Sequence, residues 1–159
     1  MQIIPVAQQR SMPWKNGQGV SWHIAVDPDG AGFEDFAWRV SRAAIMRDAA
    51  FSAFADTERW ITLIQGEGCA LRFGDGGALM LRKPFVPMRF DGARAATCKL
   101  SAGPCTVLNV MARRGRAEAD VAVVAAPGDL PPEIGDAARD GNLILVRLDA
   151  TRVLRVRFS

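Results

Sequence analysis

Apolar and polar residues alternate with a period of two along most of the chain, the pattern of strands that bury one face. Val20, Trp22, Ile24 and Val26 fall on one side of a predicted strand, with Ser21, His23 and Ala25 on the other. Phe36, Trp38 and Val40 oppose Ala37, Arg39 and Ser41 in the same way. A third strand, Trp60 to Ile64, runs into Gly66-Glu67-Gly68. Cys69 to Phe73 and Ala78 to Leu81 are joined by Gly74-Asp75-Gly76-Gly77, which predicts a hairpin. Further strands are predicted from Ala95 to Leu100, Thr106 to Ala112, Val121 to Ala125, Leu143 to Leu148 and Arg152 to Phe158. Helical periodicity is scarce: Pro131 to Arg139 offers one short turn, with prolines at its start and Gly141 just beyond.

Many short strands separated by glycine turns predict an all-β sandwich or barrel, whose closure hides strand edges. The stretch from Ile61 to Phe90 has a cupin-like rhythm of strand, Gly-x-Gly, strand, glycine turn and strand, followed by Pro84 and Pro87. Pro127 to Pro132 is the one linker-like segment. The strands after it read as completing the sheets of one domain over residues 1–159, rather than as a second domain.

Composition narrows the function classes. The 159 residues are 49% hydrophobic, enough for a substantial core. No basic stretch followed by an apolar run opens the chain, and no apolar run approaches the roughly 20 residues of a membrane span. A cytoplasmic protein without a membrane partner is expected. Twenty basic side chains face seventeen acidic ones, a net charge of +3. The one tight basic cluster, Arg113-Arg114 with Arg116, reads as a solvated strand end, so no nucleic acid is expected. Cys69, Cys98 and Cys105 are odd in number and lack Cys-x-x-Cys spacing, which argues against a disulfide framework or zinc knuckle. They read as buried structural thiols.

The single histidine, His23, has the largest consequence. A cupin metal centre takes two or three histidines with a carboxylate, and one imidazole does not build it. Neither metal nor other cofactor is expected. Gly17-Gln18-Gly19 precedes a strand, whereas a phosphate loop needs a helix whose N-terminal amides face the anion. Trp14-Lys15-Asn16-Gly17 is the sharpest local signal. It reads either as an ordinary turn with Lys15 in solvent or as a ligand loop. Arg39, Arg59 and Arg113 each lie in or beside an apolar strand, and Arg113 shares a face with Asn109 and Met111. If those faces point inward, Arg39, Ser41, Asn109 and Arg113 converge, and guanidinium groups there recognise carboxylates. If they point outward, they are solvated.

These residues resemble the HutD/Ves family. Trp14-Lys15-Asn16-Gly17-Gln18-Gly19 is similar to its Trp-Lys-Asn-Gly-Gly-Gly opening, and Trp38-Arg39-Val40-Ser41-Arg42-Ala43 to its Trp-Arg-hydrophobic-Ser-x-Ala strand. Phe51-Ser52-Ala53-Phe54, Arg59 and Gly66-Glu67-Gly68 follow in order, then Leu108 to Gly115. The resemblance implies a cupin-type (RmlC-like) jelly-roll barrel, single or as a compact bicupin. It also implies association with bacterial histidine utilisation through binding of a small acidic intermediate. The chain departs from the pattern at Gln18 for glycine, Ser21 for threonine, His23 for glutamate and Val107 for aspartate. Two carboxylates suited to acid–base chemistry are thereby absent.

The function expected is a non-catalytic, metal-free protein that binds a small organic anion, a carboxylate, and acts as a regulator linked to histidine utilisation. Its ligand set is Trp14, Lys15, Asn16, His23, Arg39, Ser41, Arg59, Asn109, Met111 and Arg113. Two alternatives stand beside it: a metal-free isomerase or epimerase with His23 as base, and a homodimeric protein-interaction module.

Overall fold

The computed structural model describes residues 1–14 and 16–159. In chain order the strands are β1 (Gln2–Ile4), β2 (Arg10–Pro13), β3 (Gly19–Asp27), β4 (Trp38–Ile45), β5 (Ala49–Phe51), β6 (Thr57–Gln65), β7 (Cys69–Phe73) and β8 (Ala78–Leu81). They continue with β9 (Met88–Asp91), β10 (Ala96–Leu100), β11 (Cys105–Arg113), β12 (Ala119–Ala125), β13 (Ala137–Asp140), β14 (Leu143–Arg147) and β15 (Arg152–Phe158). The one helical element among the described residues is a 3-10 turn, Val6–Gln8. The described residues are therefore all-β, as expected. No described helix is long and apolar enough to cross a membrane.

The described residues form three antiparallel sheets. The six-stranded sheet has the order β2-β3-β4-β11-β6-β9, the five-stranded sheet β1-β13-β14-β15-β12, and the four-stranded sheet β5-β10-β7-β8. The six-stranded sheet is apolar on both faces because its long strands carry large side chains at odd and even positions alike. Trp38, Val40, Leu108 and Val110 pack with Ile144, Val146, Leu154 and Val156 of the five-stranded sheet. On the opposite face, Ala43, Ile45, Ile61, Leu63 and Val107 pack with Cys69, Leu71, Leu81 and Cys98 of the four-stranded sheet. Trp38 stacks on Phe158 with ring centroids 4.2 Å apart and planes 5° from parallel, tying the last strand to the central sheet. Such a pair contributes about 1 kcal/mol beyond its burial.

Two expectations are corrected. The predicted helical turn between Pro131 and Arg139 is instead bends and one turn, closed by the Asp136 amide on the Glu133 carbonyl, that lead into β13. There the Asp136 carboxylate accepts from the amides of Val6 and Glu133, and β13 pairs with both β1 and β14. Sheet hydrogen bonds to the neighbouring β14 and the distant β1 override a local pattern that permits either state. The linker-like segment is also packed: Leu130 is buried, and the carbonyls of Leu130 and Pro131 accept from the Arg147 guanidinium.

The second correction concerns β3. Its pairing with β4 runs His23 opposite Ser41 and then Ala25 opposite Val40, so a bulge absorbs Ile24. An extra residue reverses the facing of everything beyond it. Ala25 joins the core against the five-stranded sheet, and Val26 moves to the other face beside Phe36 and Met111.

Candidate functional site

The face of the six-stranded sheet that carries Arg39 continues past the apolar core into an open cavity of about 480 Å³. Strand register explains who meets there. Met111 on β11 lies opposite Arg39 on β4 and opposite Arg59 on β6, so all three share one row across the sheet. The two arginines are thus two strand spacings apart, roughly 10 Å between Cα atoms. Asn109 forms the next row with Ser41. Arg39, Ser41, Arg59, Asn109 and Met111 all line the cavity, so the question of facing resolves inward for these positions.

The hairpin from β2 to β3 supplies another wall with Trp14 and Asn16. The Trp14 indole Nε1 donates to Ser21 Oγ at 2.9 Å, and its ring meets Phe51 edge-on at 5.9 Å. Gly19 makes this possible: a Cβ there would lie 2.9 Å from the indole and 2.7 Å from the Ala44 carbonyl. The turn is closed by the Gly17 amide on the Trp14 carbonyl at 3.0 Å, and by the Gln18 amide on Asn16 Oδ1 at 3.0 Å. Lys15, the cation expected on this loop, lies outside the described residues.

Charge distinguishes the cavity. Arg39 and Arg59 are 6% and 5% exposed, and no described residue lining the cavity is acidic. Among the described residues Arg39 makes no side-chain hydrogen bond or ion pair, and its guanidinium lies over the Phe33 ring at 4.5 Å. Burial lowers its pKa. Arg59 donates to the Ser52 carbonyl at 3.1 Å and to Asn109 Oδ1 at 3.3 Å, while its buried Nε has no partner among the described residues. It is ringed by Phe51, Phe54 and Phe90, and burial pushes its pKa down to about 10. Gly92 clears room for it, since a Cβ there would come within 3.1 Å of the Arg59 stem. Two buried cations without a carboxylate are costly, and a negative ligand lowers that cost.

His23 and Arg113 do not line the cavity. His23 faces the same side as Ser41 and pairs with Arg10 on β2, half-buried. Its pKa is lowered, first by burial and then by the positive charges of Arg39, Arg10 and Arg139. Arg113 turns toward the segment between β3 and β4. There it donates to the carbonyls of Glu34 at 2.6 Å and Phe33 at 2.9 Å and stacks over Phe36 at 4.3 Å. Sequence reading missed Phe33, Phe51, Ser52 and Phe54 as cavity walls. Phe51, Ser52 and Phe54 stand in a motif block, so that signal existed. Phe33 lies in an irregular loop with no periodicity to read.

No group of three His, Cys, Asp or Glu among the described residues is placed to hold a metal ion. The three cysteines are buried and unbridged. Cys69 is lowered by its contact with Cys105 but raised by Cys98 and by burial, and ends up pushed up to about 12. Contact with Cys69 and burial raise Cys105 as well. Thiols held protonated in this way are poor nucleophiles.

Comparison with known proteins bears on this arrangement. The model of the HutD family matches residues 6–153. An uncharacterised 21.2 kDa protein in the hutC 3′ region of Pseudomonas putida is 36% identical over 111 residues, 70% of this chain and 57% of that protein. Protein Ves of Citrobacter koseri is 36% identical over 118 residues, 72% of this chain and 60% of that protein. The chain thus spans a little under two thirds of the length of these relatives. HutD from Pseudomonas fluorescens SBW25, solved in a formate condition, superposes with a TM-score of 0.79 at 26% identity, covering 99% of this chain and 97% of that one. A conserved protein of unknown function from Pseudomonas aeruginosa PAO1 gives a TM-score of 0.74 at 25% identity, covering 98% and 91%. Family model, sequence relatives and whole-chain superposition agree: this chain belongs to the HutD family.

Proposed function

We propose that the cavity binds a small organic anion through a carboxylate held by Arg39 and Arg59, without metal and without chemistry on the ligand. The observation that carries this reading is the pair of buried guanidiniums facing one cavity with no acidic side chain on its described walls. Arg39 has all its donors available, Arg59 has an unpartnered Nε, and the Asn109 amide and Ser41 hydroxyl add directional contacts. Trp14, Phe51 and Phe54 give the apolar enclosure common to small-molecule sites. His23 lies off the cavity wall, which favours binding over proton transfer. The naming of relatives as HutD and as a hutC-region protein supports a regulatory role in histidine utilisation.

Titration calorimetry with formate, acetate and glutarate tests the reading. The wild-type protein is expected to give saturable heat with at least one of them. Arg39→Ala should weaken that binding about tenfold or more, because a hydrogen bond to a charged group is worth roughly 1.5–3 kcal/mol. Absence of heat from the wild type with all three ligands sinks the proposal, as does unchanged affinity in Arg39→Ala.

A further inference from the structure

Arg39 is held in place by an aromatic face rather than by acceptors. The Phe33 ring covers one side of its guanidinium at 4.5 Å. A planar cation lying on a ring keeps its N–H donors pointing sideways, where a carboxylate meets two of them at once. Yet Phe33 is 50% exposed and belongs to the irregular segment between β3 and β4. Among the described residues its one aromatic neighbour is Phe54, at 5.7 Å. Burial alone does not hold such a side chain.

The backbone under Phe33 is held from β11 instead. Arg113 donates Nη1 to the Glu34 carbonyl at 2.6 Å and Nη2 to the Phe33 carbonyl at 2.9 Å, gripping two successive peptide groups with one planar fork. Its guanidinium rests on Phe36 at 4.3 Å, and Arg116 adds a third bond, to the Asp35 carbonyl at 3.1 Å. The same grip leaves the Arg113 Nε buried without a partner among the described residues. Arg113 therefore faces away from the cavity and toward the loop.

We propose that Phe33 is a lid over Arg39 and that Arg113 is the strut that keeps it shut, so that Arg113 governs anion affinity without touching the anion. The affinity clause rests on the reading of the cavity as an anion site; the lid and strut do not. Arg113 is a positioning residue in this scheme. Lysine in its place keeps the charge and loses the fork, because an ammonium is a point donor that does not span two carbonyls in one plane.

The lid is tested without any ligand by phenylglyoxal modification, read by peptide mass spectrometry as the labelling rate of Arg39 relative to the surface residue Arg72. Phe33→Leu and Arg113→Lys should each accelerate Arg39 labelling several-fold. The double variant should label no faster than the faster single variant, as expected for two residues acting through one element. Phe33→Leu alters an exposed loop position and tests the lid even if Arg113→Lys folds poorly. Unchanged Arg39 labelling in Phe33→Leu overturns the lid. Multiplying rates in the double variant overturn the strut, because Arg113 would then act on Arg39 by another route. Formate titration of the same proteins separates the two proposals. If labelling changes as expected while the wild type binds no formate, acetate or glutarate, the anion reading fails and the lid stands, without its affinity clause. If the wild type binds and both variants match it in labelling and affinity, the lid fails and the anion reading stands.

Discussion

His23 lies among the positive charges of Arg39, Arg10 and Arg139, and their balance has a measurable consequence. The pKa of His23 is lowered below its ordinary value by burial and by Arg39, Arg10 and Arg139, so the folded protein resists its protonation. The unfolded chain takes up the proton first as pH falls through about 6.5. The stability that His23 contributes is therefore fully present above pH ~6.5 and is lost as pH falls toward its folded value. His23→Gln is expected to flatten the loss of stability on acidification from pH 7 to pH 5, measured by urea denaturation at each pH. An unchanged slope would mean that another group carries it.

Two kinds of element shape the sheets. The Ile24 bulge in β3 lets one strand serve both faces of the central sheet: His23 stays on the side of Ser41, while Ala25 turns into the opposite core. Glycine turns act by conformation and by clearance, and the two effects can be told apart. Gly68, between β6 and β7, has φ +85°, and a Cβ there would lie 1.9 Å from the Leu81 carbonyl oxygen. Gly76, in the hairpin between β7 and β8, has φ +105° with nothing within 4 Å of a Cβ. Gly76→Ala should cost about 1–2 kcal/mol of left-handed strain. Gly68→Ala adds a backbone collision and should cost about 3 kcal/mol or more. Equal shifts of the two denaturation midpoints would contradict the clearance argument.

At the scale of the molecule, the central sheet is shared by both cores, and the N-terminal strand β1 joins the edge of the five-stranded sheet, where it pairs with β13. Removing the residues after Arg116 would take away β12 to β15 and uncover Trp38, Val40, Leu108 and Val110 together. A chain ending at Arg116 is expected to lose its cooperative urea transition and to bind a hydrophobic dye, since a contiguous apolar face of this kind requires cover. A sharp two-state transition in the shortened chain would mean that the first 116 residues fold as an independent unit. The open cavity belongs to the other face of the central sheet, so the five-stranded layer supports the site from behind.

Alternation along the chain was enough to read the all-β class, most long strands and the two sets of side chains on β4 and β11, because the facing of neighbours in a strand is a local property. The ordered motifs likewise marked Trp14, Asn16, Arg39, Ser41, Arg59, Asn109 and Met111, all of which line the cavity. Short strands such as β1, β5 and β13 left no readable pattern, since three or four residues do not establish a period and each takes hydrogen bonds from a strand distant in sequence. Which face of β4 is walled in, and whether Arg113 joins the cavity or grips the loop of Phe33, depended on packing between residues some eighty positions apart. Local periodicity carries no information about that separation. The long-range hydrogen bonds and burial of the assembled sheets supply it, and they turn the isolated cations of a mildly basic sequence into a cavity with two guanidiniums on its wall.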